Sequence, residues 1–502
     1  MSKRLHRLIQ AMSSHEKGYF VKMASTIVKQ KKHTYLDLFN QLNKLDEYSD
    51  EALKAKLTKK KIKLNLAQAK IALENALIKS LIEYEEGNEV HNKLKHALNQ
   101  YQVYFGKGMY DEAYKALIKQ EELAMVSFSF QYYQEIVFKQ MNLLFGISDP
   151  EMTNKVKDIL TKLTISTKAS KDFYECANIY YLILGESQLK ENIFEKEKQK
   201  AISLKIKELE ERKDKCLTAK ATSFINRGLR SLYYSTDDFE NALAITLQEI
   251  DSYHANPEFK KVVFSTYYQE FWHLIMSCSL SKNYSTLFEY KVQFENAVIK
   301  NPHSKAMQVY NEMELFQIEL SQQKTSYAIA KEKYLHFEDR IEPCQAYLSP
   351  SGYLGLLFNQ AKVAFLIGDY DSSLNWTNKL LDKSKPHLRQ DVTAIASIFN
   401  LINHYHLENN LVLPYFLKQA YRSFKKMNRL TAFDKWVFKS LRKINNLEVH
   451  QFRKKEICKL KEEYITLCKV EDTPETGLDY VLWFDSLLEG KTMFEVLQGR
   501  IG

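Results

Sequence analysis

A turn followed by an aromatic residue, with a small or apolar residue three positions on, recurs along this chain at a fixed interval. The sites are Tyr110/Ala113, Phe239/Ala242, Tyr284/Leu287, Tyr327/Ala330 and Tyr370/Ser373. The last four aromatics are separated by 45, 43 and 43 residues, and Tyr110 precedes Phe239 by 129, three times 43. Proline keeps the same register. Pro257, Pro302, Pro343 and Pro386 are spaced 45, 41 and 43, while Pro350 and Pro414 fall outside it. Proline is tolerated at helix starts and between helices, not within them. Two unrelated markers in one register predict a chain of repeated helical units, none of which could bury its apolar face alone.

The clearest unit is Gly352–Leu381. Leu357, Ala361, Ala364 and Phe365 recur at i, i+4, i+7 and i+8, the stripe of one buried helix face. A tight turn at Gly368-Asp369-Tyr370 precedes a second stripe of Leu374, Leu380 and Leu381 with Trp376 between them. Ala361, Ala364 and Ser373 are small enough for the two backbones to approach closely. The spacing predicts a helical hairpin. Between about 130 and 225 the register is not readable, although 146–150 and Gly185-Glu186 suggest breaks.

The remaining segments divide the chain. Residues 1–88 read as a basic helical domain: Leu5, Leu8, Ile9 and Met12 form a first amphipathic helix, and Ser13 with Glu16 forms a capping box for the second. Ser49-Asp50-Glu51 opens a fourth helix, and Ile71, Leu77, Ile78, Leu81 and Ile82 stripe a fifth that stops near Gly87-Asn88. Residues 89–445 carry the repeats. Residues 446–502 are expected to form a helical cap that follows the linker 471–477 and buries Tyr480, Leu482, Trp483 and Leu487. Only 14 Gly and 8 Pro in 502 residues leave too few turn formers for a β-rich fold. The fold class is therefore all-α.

The same composition bounds location and partners. No apolar run approaches the ~18 residues of a membrane span, and the N-terminus has no uninterrupted apolar core of a signal peptide. Six cysteines without a CxxC pair predict free thiols in a reducing cytoplasm. The net charge of +10 is unevenly placed: residues 1–80 hold 17 Lys/Arg against 7 Asp/Glu, and residues 418–459 hold 13 against 3. Each segment nets +10, which leaves the rest acidic. Lys54, Lys56, Lys59, Lys60, Lys61 and Lys63 form one basic run. Arg422, Lys425, Lys426 and Arg429 lie at i, i+3, i+4 and i+7, one helical face that could bind phosphates, with Tyr421 or Phe424 as a stacking ring.

Catalytic motifs are not readable. Gly490-Lys491-Thr492 has the end of a phosphate-binding loop but lacks the glycine five residues earlier, where Asp485 stands. It reads instead as a helix ending at Gly490. His404 and His406 are two apart and would face different ways on a helix, unlike metal-chelating i, i+4 pairs. No cofactor or metal is expected, nor an enzyme.

The turn at Gly368-Asp369-Tyr370-Asp371 with Ser373, preceded by Asn359 and Ala361, resembles the tetratricopeptide repeat. Gly108–Ala113 and Asp237–Ala242 resemble it next best, although the period of about 43 exceeds the 34 of that family. Met12–Lys17, Tyr35–Phe39 and much of Asp391–Arg429 also resemble an uncharacterised bacterial helical-repeat family, a likeness that carries an architecture and no activity. The resemblance implies a right-handed α-solenoid whose concave groove binds a protein or peptide, with Gln102, Arg227, Trp272 and Lys362 facing it. The Lys/Asn pair that some members use to clamp a carboxylate is missing: the matching positions hold Leu98/Gln102, Arg227/Ser231, Trp272/Met276 and Phe358/Lys362. The expected function is a non-enzymatic scaffold or adaptor; the alternative is a nucleic-acid-associated factor using the two basic segments.

Overall fold

Among the described residues the chain forms 25 helices and no strand. The computed structural model describes residues 2–500 except 28–33, 46–47, 60–64, 86–89, 148–149, 189–195, 298, 300–301, 323, 385–389, 427–429, 447–449 and 471–477. The first helices are α1 (Ser2–Ala11), α2 (Ser14–Ile27), α3 (Thr34–Asn43), α4 (Asp50–Lys59), α5 (Leu66–Glu85), α6 (Val90–Gly106), α7 (Tyr110–Val126) and α8 (Phe130–Gly146). They continue as α9 (Met152–Gln188), α10 (Lys196–Lys213), α11 (Ala219–Ser235), α12 (Phe239–Ala255), α13 (Pro257–Val262), α14 (Phe264–Leu280), α15 (Tyr284–Glu295), α16 (Pro302–Ser321) and α17 (Tyr327–Cys344). The last are α18 (Pro350–Leu366), α19 (Tyr370–Lys383), α20 (Gln390–His406), α21 (Leu413–Lys426), α22 (Ala432–Asn445), α23 (His450–Val470), α24 (Tyr480–Glu489) and α25 (Met493–Gly499). They divide into two units, Met1–Thr236 with Gln248–Phe264, and Asp237–Leu247 with Ser265–Gly502.

All five aromatics of the register are the first residue of a helix, and Ala113, Ala242, Leu287, Ala330 and Ser373 are fully buried. The turn itself explains the position. Gly108 and Gly368 are left-handed (φ +70° and +87°), and the amide two residues before each helix's second residue closes a six-residue loop onto the preceding helix. Met109 N–H donates to the Tyr104 carbonyl at 3.0 Å and Asp369 N–H to that of Ala364 at 2.9 Å, the Schellman closure of a helix end. Lys282, Phe128 and Glu408 are left-handed without being glycine, and make the same closure through Asn283, Ser129 and Asn409. Phe128 thus precedes a further aromatic-led helix, α8, whose Tyr133 is buried three residues on. Replacing Lys282 by glycine removes a left-handed penalty of ~1–2 kcal/mol against an entropic loss of roughly 0.5–1 kcal/mol. A small gain in the chemical-denaturation midpoint is expected; a clear loss would mean that the Lys282 side chain holds the turn.

Within the first unit α6 packs on α7, α7 on α8, α8 on α9, and α9 on α11. The N-terminal helices have their own core of Leu5, Ile9, Phe20, Leu38, Phe39, Leu53, Leu73 and Leu77. The Ser13–Glu16 capping box is present: Ser13 N–H donates to the Glu16 carboxylate at 2.6 Å and Glu16 N–H to Ser13 Oγ at 3.2 Å. The α5 stripe differs from expectation. Leu77 is buried with Leu73 and Ser80, an i, i+4, i+7 face, whereas Ile71, Ile78 and Ile82 point outward. Helix α5 is apolar on two faces, and only one meets the core. Gly185 does not break the chain either. It lies inside the 37-residue α9, where a lone glycine costs only ~1 kcal/mol. Gly146 ends α8 and α9 begins at Met152, so the chain does break there; residues 148–149 lie outside the described residues.

In the second unit the hairpin is α18 and α19, joined at Ile367–Asp369. Helix α18 is apolar nearly all round, as a core helix must be. Ser373 Oγ donates to the Ala361 carbonyl at 2.9 Å, which holds the two helices at the close approach that the small residues permit. Pro257, Pro302 and Pro350 begin helices, but Pro343 sits inside the last turn of α17 instead of between helices; Pro386 lies outside the described residues. Tyr480, Leu482 and Trp483 join the same core as α18. Gly490 ends α24 in the left-handed conformation (φ +68°) and Thr492 caps α25 with Glu495, so Gly490-Lys491-Thr492 is a helix-to-helix turn.

His406 is part of this core. Its Nε2 accepts from Trp483 Nε1 at 2.8 Å and its ring stacks on Tyr370 at 4.1 Å. An accepting Nε2 requires the neutral ring, and burial pushes the imidazole down to about 4. Because the folded value lies below the unfolded one, the unfolded chain binds the extra proton between those values. Stability is therefore expected to fall as pH drops from about 6.5 towards 4. Urea melts at pH 7 and pH 5 should show that loss, and His406→Gln should reduce it; an unchanged pH dependence would exclude His406 as its source.

Candidate functional site

A cleft of about 880 Å³ opens in the first unit. Its floor and walls come from the C-terminal end of α7, the turn to α8, one face of α9, the segment before α11, and the junction of α12 with α13. Apolar groups dominate: Met125, Val126, Phe128, Phe130, Ile165, Leu217 and Pro257 line it, with Glu122, Lys168 and Glu258 as the charged groups. Met125, Val126, Ile165 and Leu217 are exposed, the last two at 53% and 59%. Four large exposed apolar side chains from three separate segments thus converge on one cleft. Scattered single apolar residues on a surface are ordinary, but a contiguous patch marks an interaction site.

The lip of the cleft is held in place. Phe128 is left-handed (φ +51°), an unusual conformation for a bulky residue. Its ring packs edge-on against Phe259 at 5.3 Å, and its carbonyl accepts from Lys220 Nζ at 3.1 Å. The Lys220 ammonium also lies over the rings of Phe173 (4.3 Å) and Phe130 (5.6 Å), and burial lowers its pKa. Thr218 caps α11 by accepting from Ala221 N–H, which fixes Leu217 just ahead of the helix. The cleft is a mostly apolar surface, with Glu122, Lys168 and Glu258 as its charged groups.

The residues expected to line a groove lie elsewhere. Gln102 is exposed on α6. Arg227, half-buried on α11, donates from Nη2 to Tyr253 Oη at 3.0 Å and lies over the Phe224 ring, so it braces the fold. Trp272 is half-buried on α14 with its ring edge-on to His273. Lys362 lies over the Phe358 ring and lines a smaller cleft of about 250 Å³ in the second unit, beside Leu478, Leu482 and Leu497. None of the four lines the large cleft.

On the basic face of α21, Arg422 and Lys425 are exposed and Lys426 closes the helix, while Arg429 lies outside the described residues. Of the two rings offered for stacking, Phe424 is buried and Tyr421 is partly exposed. Phe424 is buried against Phe438 at 5.3 Å, and Tyr421 meets the same ring edge-on at 5.6 Å. In the N-terminal basic run Lys54 and Lys59 are exposed, Lys56 donates to the Lys44 carbonyl, and Lys60, Lys61 and Lys63 lie outside the described residues.

His404 accepts from or donates to Asn409 through Nδ1 at 3.0 Å and stacks on Phe416, so both histidines of that pair serve packing. Among the described residues one group has metal-ligand types close together: Asp172, Cys176 and Cys216. A cation already occupies it. Arg212 Nη2 is 2.5 Å from Asp172 Oδ1, and Leu217 N–H donates to the other carboxylate oxygen at 2.9 Å. No helix among the described residues is long and apolar enough to cross a membrane. No protein-family model matches the chain, and a comparison with curated proteins gives no match.

Proposed function

We propose that the chain is a non-enzymatic interaction scaffold of the cytoplasm, in which tetratricopeptide-like hairpins, stacked as a right-handed α-solenoid, present a binding surface to a protein partner. The observation that carries this reading is the convergence of Met125, Val126, Ile165 and Leu217 on one cleft. Helices packed on their neighbours along the chain, and the recurrent aromatic-led turn, support the stacking. The cleft suits an apolar segment of the partner. Burying even part of four such side chains stabilises a complex at roughly 25 cal/mol per Å² of apolar surface, and a few well-packed residues dominate such interfaces.

A nucleic-acid role through the basic segments has less support, because the Phe424 ring beside Arg422 and Lys425 is buried and Tyr421 packs edge-on against Phe438. The test separates the two readings. The tagged chain is purified from its native cell in two halves, one treated with nuclease. Partners that survive nuclease are expected; partners lost with it, or co-purifying RNA or DNA, would overturn the scaffold reading in favour of phosphate contacts.

A further inference from the structure

Cys176 and Cys216 are 40 residues apart in sequence, yet their sulfurs are 3.8 Å apart. Cys176 is fully buried on α9, and Cys216 is half-buried in the turn between α10 and α11. Disulfide formation requires two sulfurs within reach and a side chain free to rotate to ~2.05 Å. The turn supplies that freedom, since Cys216 is not within a helix. The Arg212 guanidinium lies against the Cys216 sulfur, and the Asp172 carboxylate is close to both sulfurs. Arg212 Nη1 lies 3.7 Å from Cys216 Sγ, and the guanidinium is anchored on Asp172 at 2.5 Å.

We infer that Cys176 and Cys216 are a redox-active dithiol in which Cys216 attacks a hydroperoxide and Cys176 resolves the product as a disulfide. Cys216 is the partner placed to ionise first, because Arg212 Nη1 lies against its sulfur and it is the less buried of the two; burial pushes the Cys176 thiol up. The Cys216 thiolate attacks one oxygen of hydrogen peroxide. A sulfur–oxygen bond forms, the O–O bond breaks, and the leaving hydroxide takes the proton Cys216 released, giving water and a sulfenic acid. Cys176 sulfur then attacks Cys216 sulfur. The S–S bond forms, the S–O bond breaks, and hydroxide leaves with the Cys176 proton as a second water. One peroxide is reduced and two thiols are oxidised.

A metal would have to expel Arg212 from the carboxylate, whereas the dithiol uses the guanidinium where it stands. The four remaining cysteines are placed differently: Cys278 and Cys344 are buried and pushed up by burial, and Cys458 and Cys468 are exposed on α23. The pair adjoins Leu217, a residue of the cleft. Any change of partner affinity on oxidation rests on the cleft reading; the disulfide itself does not.

The test uses the full chain with Cys458→Ser and Cys468→Ser, which removes the exposed thiols. After hydrogen peroxide treatment, alkylation and digestion, one linked peptide pair containing Cys176 and Cys216 is expected, with a loss of two alkylatable thiols that dithiothreitol restores. In the Cys176→Ser variant a dimedone adduct is expected on Cys216, because the resolving thiol is gone. Both cysteines alkylated as before after peroxide would overturn the inference. So would a zinc ion retained through purification that protects both from alkylation. The peptide map of the protein with both cysteines present decides even if a variant folds poorly.

Discussion

Phe365→Ala is expected to destabilise the second unit by about 3–5 kcal/mol, the range for a large aromatic removed from a packed core. The side chain is 1% exposed. Its ring meets Tyr370 at 5.1 Å, Phe399 at 4.9 Å and His406 at 5.1 Å, so it touches α18, α19 and α20 at once. Truncation leaves a cavity where three helices meet, and rigid helices collapse poorly into such a space. The Tyr370–His406–Trp483 chain of contacts would also lose its support, so the tail of the unit should loosen with the hairpin. The control is Leu411→Ser. Leu411 is 97% exposed, and a change within about 0.5 kcal/mol is expected there. Denaturant unfolding followed by circular dichroism reads both. A loss below about 1 kcal/mol at Phe365 would mean that these helices are not packed as described.

The hairpin was legible because its determinants are local. The Gly368 turn, the i, i+4, i+7, i+8 stripe and the small residues at Ala361, Ala364 and Ser373 each act within one helical pair. Where a left-handed position is filled by Phe128, Lys282 or Glu408, no glycine announces it; the turn before α8 has the same form, but its Phe130 lies 20 residues after Tyr110, outside the 43-residue register. The long α9 was hidden for a related reason. Its glycine is tolerated inside the helix because the packing of neighbouring helices outweighs one weak residue.

The candidate site was the least legible part. Groove residues inferred by resemblance fall on positions that brace the fold, such as Arg227 on Tyr253, or that line a different cleft, such as Lys362. Met125, Val126, Ile165 and Leu217 are separated by up to 92 residues, and nothing in their spacing brings them together. The one usable signal was local: Val126 and Leu217 are apolar residues beside turns, off the buried stripes of their helices. Cys176 and Cys216 were equally silent, because their proximity depends on how α9 meets the turn before α11. A charged face fared better in part. Arg422 and Lys425 are exposed as the period implies, but Phe424 was offered as a stacking ring and lies in the core, at the position in its helix where an apolar side chain packs.

The second large effect concerns the cleft. Val126→Glu and Ile165→Glu place charges on an apolar surface from two helices, α7 and α9. Both side chains are already exposed, so each substitution should change stability by no more than about 0.5 kcal/mol. Bound to an apolar segment, both carboxylates would be desolvated, with Lys168 as one cation lining the cleft to share between the two, a penalty of ~2 kcal/mol at the centre of an interface. One such substitution therefore weakens partner binding about 30-fold, and the pair together should abolish it. The most direct measurement is quantitative purification from native cells of the wild-type chain beside Val126→Glu/Ile165→Glu, after nuclease treatment and with unfolding midpoints matched. Loss of a defined set of proteins from the variant alone is the expected result. The same proteins recovered equally from both chains would contradict the cleft as the binding surface.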